Sequence, residues 1–115
     1  MAAKSVLFVD DEPQVLAALR DLLRAERIGW RMRFAEGPEE ALRELEREPA
    51  DVVVTDLQMP GIPGSTLLAL LEAWHPNCRR VVLSGHRRSE WSPRGAHVVL
   101  EKPCDIADLV GAIEG

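Results

Sequence analysis

The pattern of apolar residues is the feature that most constrains the fold of this 115-residue chain. Short continuous apolar runs, such as residues 5–9 and 51–56, alternate along the sequence with longer segments in which apolar residues recur every three or four positions. The short runs are typical of strands buried on both faces, and the longer segments are typical of amphipathic helices. Repetition of this kind predicts a parallel sheet covered by helices on both faces.

The pattern predicts five strands and the helices that connect them. The strands cover residues 5–9, 30–34, 51–56, 80–84 and 97–102. Four helices have a clear apolar stripe, and a proline, a glycine or a capping residue marks the start of each: Pro13, Gly37, Ser65 and Asp105. Residues 85–95 lack such a stripe. Pro93 and Gly95 limit any helix in that segment to a shortened or irregular one.

The second predicted strand differs from the others because apolar and arginine side chains alternate strictly along residues 30–34. A strand that is apolar on one face only suits the edge of a sheet. With right-handed crossovers, this placement favours the strand order 2-1-3-4-5. We therefore expect a flavodoxin-like, doubly wound α/β fold with a five-stranded parallel sheet and a shortened or irregular fourth helix.

Composition excludes several classes of function. Nineteen acidic and fourteen basic residues give a net charge of -5, which argues against direct binding to nucleic-acid phosphates. No apolar run approaches the ~18 residues of a membrane span, and the N-terminal apolar run is too short for a secretory signal. The two cysteines and three histidines are scattered, so a zinc or dithiol site has no support. We expect a cytoplasmic protein that contacts neither nucleic acid nor membrane directly.

Polar residues follow four of the predicted strands at the point where each strand ends. They are Asp10, Asp11 and Glu12 after the first strand, Asp56 after the third, Ser84 and Gly85 after the fourth, and Lys102 and Pro103 after the fifth. Ligands of open parallel sheets bind beyond the carboxyl ends of the strands. Carboxylates crowded at this edge repel one another unless a cation compensates them. Mg²⁺ suits such a site because it prefers oxygen ligands and commonly bridges carboxylates to phosphate.

Asp56 is the best candidate for a nucleophile at this edge because its strand is central in the predicted order. A carboxylate can attack phosphorus while a metal ion and a lysine neutralise the oxygens of the transferring group. Lys102 would supply the point charge, and Ser84 would supply a hydroxyl donor. Each residue alone has an ordinary explanation, such as a helix N-cap or an exposed lysine. Their combination points to phosphoryl transfer.

Four short motifs in the right order resemble those of a bacterial response-regulator receiver domain. They are V-D-D-E-P at 9–13, T-D-L-Q-M-P-G at 55–61, L-S-G at 83–85 and E-K-P at 101–103. The resemblance covers essentially the whole chain, so residues 1–115 are interpreted as a single receiver domain. It implies that Asp56 accepts a phosphoryl group from a histidine kinase or a histidine phosphotransfer protein, with Mg²⁺ required.

The resemblance also implies roles for the matched positions. Asp11, Asp56 and the backbone carbonyl of Gln58 would bind Mg²⁺ directly, and Asp10 would act largely through water. Ser84, followed by Gly85, and Lys102 would hold the phosphoryl group, and the Lys102–Pro103 peptide would be cis. The domain would be a signalling switch that assists its own phosphorylation and dephosphorylation, not a multiple-turnover enzyme.

Two departures from the receiver pattern concern switching. Receivers usually carry Tyr or Phe three residues before the lysine, whereas this chain has Val99. The segment between Ser84 and Lys102 is also shorter than usual by about one helical turn, which is ~3.6 residues. Both departures support a second interpretation, in which the chain is a degenerate receiver that acts as a protein-interaction domain with atypical output.

A phosphohydrolase and a nucleotide-binding module have weaker support. A magnesium phosphohydrolase would need a second carboxylate near the nucleophile, but Gln58 stands two residues after Asp56. A nucleotide-binding module is disfavoured because neither glycine-rich phosphate motif occurs.

Output from the switch would require an output domain or a partner protein outside this chain, and the sequence leaves dimerisation open. Trp30 and Trp74 fall on apolar stripes, so we expect both rings to pack in or beside the core. Trp91, in a polar stretch, is interpreted either as a partner contact or as a cover over nearby core.

Overall fold

The structure is a computed structural model, and it describes residues 3–85 and 94–115. Five parallel strands form one sheet in the order β2-β1-β3-β4-β5, with β1 at Ser5–Val9, β2 at Arg31–Ala35, β3 at Val52–Asp56, β4 at Arg79–Ser84 and β5 at Val98–Glu101. The helices within the described residues are α1 at Pro13–Ala25, α2 at Pro38–Arg47, α3 at Gly64–Trp74 and α4 at Ile106–Glu114. The predicted strand order and fold class are confirmed. The expected shortened helix between β4 and β5 falls on residues 86–93, which lie outside the described residues.

Two apolar layers cover the sheet, one on each face. On one face, Phe8 and Val54 pack with residues of α1 and α4, including Leu23 and Leu109. On the other face, alternate residues of the same strands pack with α2 and α3. The central strands β1 and β3 are therefore buried on both faces, because successive side chains of a strand point to opposite sides. This burial explains why these strands read as continuous apolar runs.

The edge strand β2 presents different chemistry on its two faces, as its alternation predicts. Met32 and Phe34 pack against the layer that contains α1, and the Phe34 ring stacks on Phe8 with centroids 5.5 Å apart. On the opposite face, the Arg33 guanidinium donates to the backbone carbonyls of Glu44, Glu48 and Pro49. Arg33 thus donates to the Glu48 and Pro49 carbonyls just after α2, and it shares the Glu44 carbonyl with the Glu48 N–H.

Two local predictions at α3 are wrong. The helix begins at Gly64 with Pro63 as its N-cap, and no side chain caps it, so Ser65 lies inside the first turn. Gly64 is required there because a Cβ would lie 2.6 Å from a side-chain atom of Leu57. At the other end, Trp74 is 62% exposed. Trp74 is the last residue of α3, where the helix ends.

The predictions for α4 and for Trp30 are confirmed. The Asp105 side chain accepts a hydrogen bond of 2.8 Å from the backbone N–H of Asp108, so it is the N-cap of α4. Trp30 is half-buried and packs against the apolar layer that contains α1 and α4. Trp91 lies outside the described residues. None of the helices described is both long enough and apolar enough to cross a bilayer.

We expect Arg33→Met to lower the free energy of unfolding by about 1–2 kcal/mol, because the partly buried carbonyls of Glu48 and Pro49 lose the Arg33 donor. The matched variant Arg31→Met should cost less than about 1 kcal/mol, since the Arg31 side chain is 59% exposed, against 10% for Arg33, and pairs with Glu48 at the surface. Urea unfolding of both variants measures the difference. Equal losses would contradict the capping role of Arg33.

Candidate functional site

The candidate site lies at the carboxyl edge of the sheet, where the parallel register brings the strand ends together. β3 pairs with β1 on one side and with β4 on the other, so Asp56 lies at the central position. Asp10, Asp56 and Ser84 are 4%, 8% and 2% exposed, respectively. Buried polar groups need partners, and these three occupy an edge that is otherwise formed by apolar strands.

Both oxygens of the Asp56 carboxylate have partners in the described residues. Lys102 Nζ lies 2.5 Å from Oδ2, and the backbone N–H of Gln58 donates to Oδ1 at 2.9 Å. The second contact also places the Gln58 peptide directly beside the carboxylate. Asp56 is therefore held in one orientation by a cation on one side and a backbone donor on the other.

The acidic residues after β1 form a second part of the site. Asp10, Asp11 and Glu12 each place one carboxylate oxygen within 4.8 Å of those of the other two. Asp10 Oδ1 also accepts a hydrogen bond of 2.9 Å from the Glu12 N–H. Burial raises the pKa of Asp10; the Glu12 hydrogen bond and Lys102 oppose this effect, while the negative charges of Asp56 and Asp11 add to it. The fold therefore favours the ionised state of Asp10 less than water does, and a bound cation would offset this cost.

Lys102 connects the two parts of the site. Burial alone would lower the pKa of its ammonium, but the hydrogen bond and charge of Asp56, together with Asp10 and Glu12, more than offset this effect and raise it. Its backbone N–H donates to the carbonyl of Ser84 at 2.7 Å, which joins the ends of β4 and β5. The Lys102–Pro103 peptide is cis, as the resemblance implied.

The donor set suits a hard divalent cation. A cluster of carboxylates follows β1, and Asp56 ends the neighbouring strand β3. Together with the raised pKa of Asp10, this arrangement is typical of sites where Mg²⁺ binds with few protein ligands. Asp10, Asp11 and Glu12 are close enough together to hold such an ion, and Asp56 is electrostatically coupled to Asp10. Glu12 had no predicted role, although the consecutive acids at 10–12 were a signal for it.

The remaining predicted residues lie near this edge. Ser84 ends β4 and Gly85 follows it, and Ser84 pairs in register with Glu101, the residue before Lys102. Val99 is half-buried in β5 and pairs in register with Val82 of β4. The structure thus brings Asp10, Asp56 and Lys102 together.

Comparison with known proteins identifies the family. The family description "Response regulator receiver domain" matches residues 6–114 of the chain. The chain therefore belongs to the response regulator receiver domain family, the receivers of two-component signalling. The match covers the strands and helices described above except for Ser5, the first residue of β1.

Individual relatives agree with this assignment. The chain is 33% identical over 113 residues to the transcriptional regulatory protein GlrR of Escherichia coli, which covers 95% of this chain and 25% of that protein. It superposes with a TM-score of 0.85 and 28% identity on the response regulator TrrA of Thermotoga maritima in complex with Mg²⁺ and BeF, covering 96% of both chains. A crystal structure of the histidine kinase ThkA with TrrA matches with a TM-score of 0.84 and 29% identity over 96% of each chain. The chain spans about a quarter to a third of the length of the first curated relatives.

In the absence of divalent cations, we expect Asp10→Asn to raise the melting temperature at pH 7. The native Asp10 carboxyl binds its proton more tightly than the unfolded one, whose pKa is near 3.8, so the ionised form destabilises the fold above the native pKa. Asparagine removes this charge and keeps an oxygen that can accept from the Glu12 N–H. Thermal unfolding in EDTA measures the effect, with the exposed Asp21→Asn as the control.

Mg²⁺ should then stabilise the wild-type protein more than Asp10→Asn, since the variant has one fewer carboxylate beside the ion. A lower melting temperature for Asp10→Asn in EDTA would contradict the proposed cost of the buried charge.

Proposed function

We propose that this chain is a phosphorylation-dependent signalling switch whose phosphoacceptor is Asp56. The observation that carries the proposal is the buried Asp56 carboxylate, which contacts the Lys102 ammonium at 2.5 Å beside the acidic residues 10–12. A nucleophilic carboxylate, a fixed cation and a set of oxygen ligands are the parts that phosphoryl transfer to a protein requires. The phosphodonor is a phosphohistidine on a histidine kinase or a histidine phosphotransfer protein.

In the transfer step, a carboxylate oxygen of Asp56 forms a bond to phosphorus while the bond between phosphorus and the donor imidazole nitrogen breaks. The products are an acyl phosphate on Asp56 and an imidazole that takes up a proton from solvent. Mg²⁺, when bound, supplies positive charge to the oxygens of the transferring group. Asp10, Asp11, Asp56 and the carbonyl of Gln58 would hold it, with Glu12 close to the first two.

Lys102 has a role before and after transfer. Before transfer, its ammonium orients Asp56 through Oδ2. After transfer, the same ammonium can bind the phosphoryl oxygens as a point charge, because its raised pKa keeps it protonated. The proton therefore stays on Nζ throughout, and Lys102 acts by charge instead of by acid catalysis.

The switch follows from the added charge on Asp56. Ser84 ends the neighbouring strand, and its hydroxyl can donate to a phosphoryl oxygen, which would pull the segment after β4 toward Asp56. Val99 has few side-chain rotamers and no hydroxyl. We therefore expect the change to reach β5 through backbone and packing shifts, including the bond from the Lys102 N–H to the Ser84 carbonyl.

The partners of the switch are proposed from the relatives. The response regulator TrrA was solved with the histidine kinase ThkA, and GlrR is a transcriptional regulatory protein. By analogy, a histidine kinase phosphorylates this chain in the cytoplasm. An output domain or a separate partner reads the result, and the chain does not turn over small-molecule substrates.

Incubation with acetyl phosphate and Mg²⁺, followed by intact mass spectrometry, tests the proposal. We expect the wild-type protein to gain the mass of one phosphoryl group, and we expect EDTA to abolish the gain. Asp56→Asn should gain nothing, whereas the exposed Asp21→Asn should behave as wild type. Lys102→Met should be phosphorylated about 100-fold more slowly, because a fixed charge that stabilises the transferring group is lost.

A phosphoryl adduct that persists in Asp56→Asn would show that the acceptor is another residue. If the wild-type protein gains no mass with Mg²⁺ present, the phosphoacceptor proposal is wrong. A degenerate receiver, which Val99 supports, would then account for the chain.

A further inference from the structure

A pocket of about 240 Å³ lies at the end of the sheet opposite Asp56, where α1 ends and β2 begins. Buried Leu23 and the half-buried Ile28, Trp30 and Met32 form its apolar lining, and the exposed Arg24 and Arg27 also line it. We call this the basal pocket. It shares no residue with the phosphoacceptor site.

The two arginines of the basal pocket have no carboxylate partner among residues 3–85 and 94–115. In contrast, the nearby Arg20 and Arg31 pair with Asp21 and Glu48, respectively. The C-terminal end of a helix favours cations in general, so α1 accounts for one exposed arginine at this place. It does not account for two guanidinium groups that lie beside an apolar recess with no carboxylate partner in the described part of a chain whose net charge is -5.

Arg27 adopts a backbone conformation that normally favours glycine. Its φ is 53°, and its backbone N–H donates to the carbonyl of Arg24 at 3.1 Å, where the chain leaves α1. A residue with a side chain is strained in this left-handed region, and helices commonly end on glycine there. The fold therefore bears a local steric cost at a position where arginine lines the pocket.

Trp30 forms a fixed wall of the pocket. Its indole Nε1–H donates to Glu114 Oε1 at 2.7 Å, and Lys4 Nζ lies 3.3 Å from the other oxygen of the same carboxylate. These contacts lower the pKa of Glu114, with the Trp30 hydrogen bond as the larger cause, so the carboxylate remains an ionised acceptor at neutral pH. Binding against a ring that is already positioned loses little side-chain entropy.

We propose that the basal pocket binds an acidic segment of a partner protein. One apolar side chain of that segment enters between Trp30 and Met32, and its flanking carboxylates pair with Arg24 and Arg27. The volume supports a single side chain, because sites for whole small molecules usually measure roughly 300–1,000 Å³. Tryptophan and arginine around a small apolar recess are also typical of the residues that dominate protein–protein binding energy.

An NMR titration of the ¹⁵N-labelled chain tests this proposal. The probe is an acetylated, amidated peptide of sequence Asp-Glu-Phe-Glu-Asp, and the reporters are the indole N–H of Trp30 and the backbone N–H of Arg27. We expect saturable shifts at both. A peptide with lysine in place of every acid, and a peptide with alanine in place of phenylalanine, should each bind at least tenfold more weakly.

Variants of the rim separate binding from folding. Arg24→Gln and Arg27→Gly should each weaken binding of the acidic peptide severalfold, and Arg27→Gly should not lower the melting temperature because glycine adopts the positive φ without strain. The control Arg43→Gln, an exposed arginine on α2, should bind as wild type. Asp56→Asn should also bind as wild type, so failure of the phosphoacceptor proposal would leave this one intact.

Equal binding of the acidic and lysine peptides would overturn the proposal, as would an unchanged affinity in both rim variants. Stronger shifts with phosphatidylglycerol vesicles than with the peptide would assign the pocket to a membrane surface. Shifts that grow with protein concentration alone would assign it to a second copy of the chain. Either result contradicts an acidic partner segment.

Discussion

The contact between Asp56 and Lys102 is the interaction on which the rest of the site depends. In water, such a pair is worth little, because the solvent screens both charges. At the carboxyl edge of this sheet the carboxylate is buried, the backbone N–H of Gln58 holds its second oxygen, and the acids at 10–12 add negative charge nearby. Lys102 therefore both orients the Asp56 carboxylate and offsets part of the repulsion. The negative charge that remains supports the proposal that a divalent cation binds at this edge.

The buried sheet positions the residues that make this contact. β1 and β3 are covered by apolar layers on both faces, so their polar residues lie at the strand ends. Because the two strands are parallel neighbours, Asp10 and Asp56 lie side by side. Lys102 directly follows the edge strand β5, and its backbone N–H bonds to the Ser84 carbonyl at the end of β4. A change in charge at Asp56 can therefore act on β4 and β5 through direct contacts. At the opposite end of the sheet, the basal pocket shares no residue with this site.

The sequence predicted most of the fold because apolar periodicity records which strand faces are buried. It also predicted that Asp10, Asp56 and Lys102 lie together at the carboxyl edge. Parallel strands place their ends together, and this combination of residue types is unusual. The predicted N-cap Ser65 was wrong because the close approach of Gly64 to Leu57 sets the start of α3. The predicted burial of Trp74 was wrong at the residue where α3 ends. The sequence also missed the basal pocket, because Arg24, Arg27 and Trp30 read separately as surface and packing residues. Only the turn after α1 brings them together.

A crystal structure of the chain with Mg²⁺ and beryllium fluoride tests the central claim most directly, because beryllium fluoride mimics a phosphoryl group on a carboxylate. We predict beryllium bonded to an oxygen of Asp56, Lys102 Nζ within hydrogen-bond distance of a fluoride, and Mg²⁺ bound by Asp11, Asp56 and the Gln58 carbonyl. The claim would be contradicted by Mg²⁺ bound only by residues 10–12 while Asp56 keeps its contact with Lys102 and carries no beryllium.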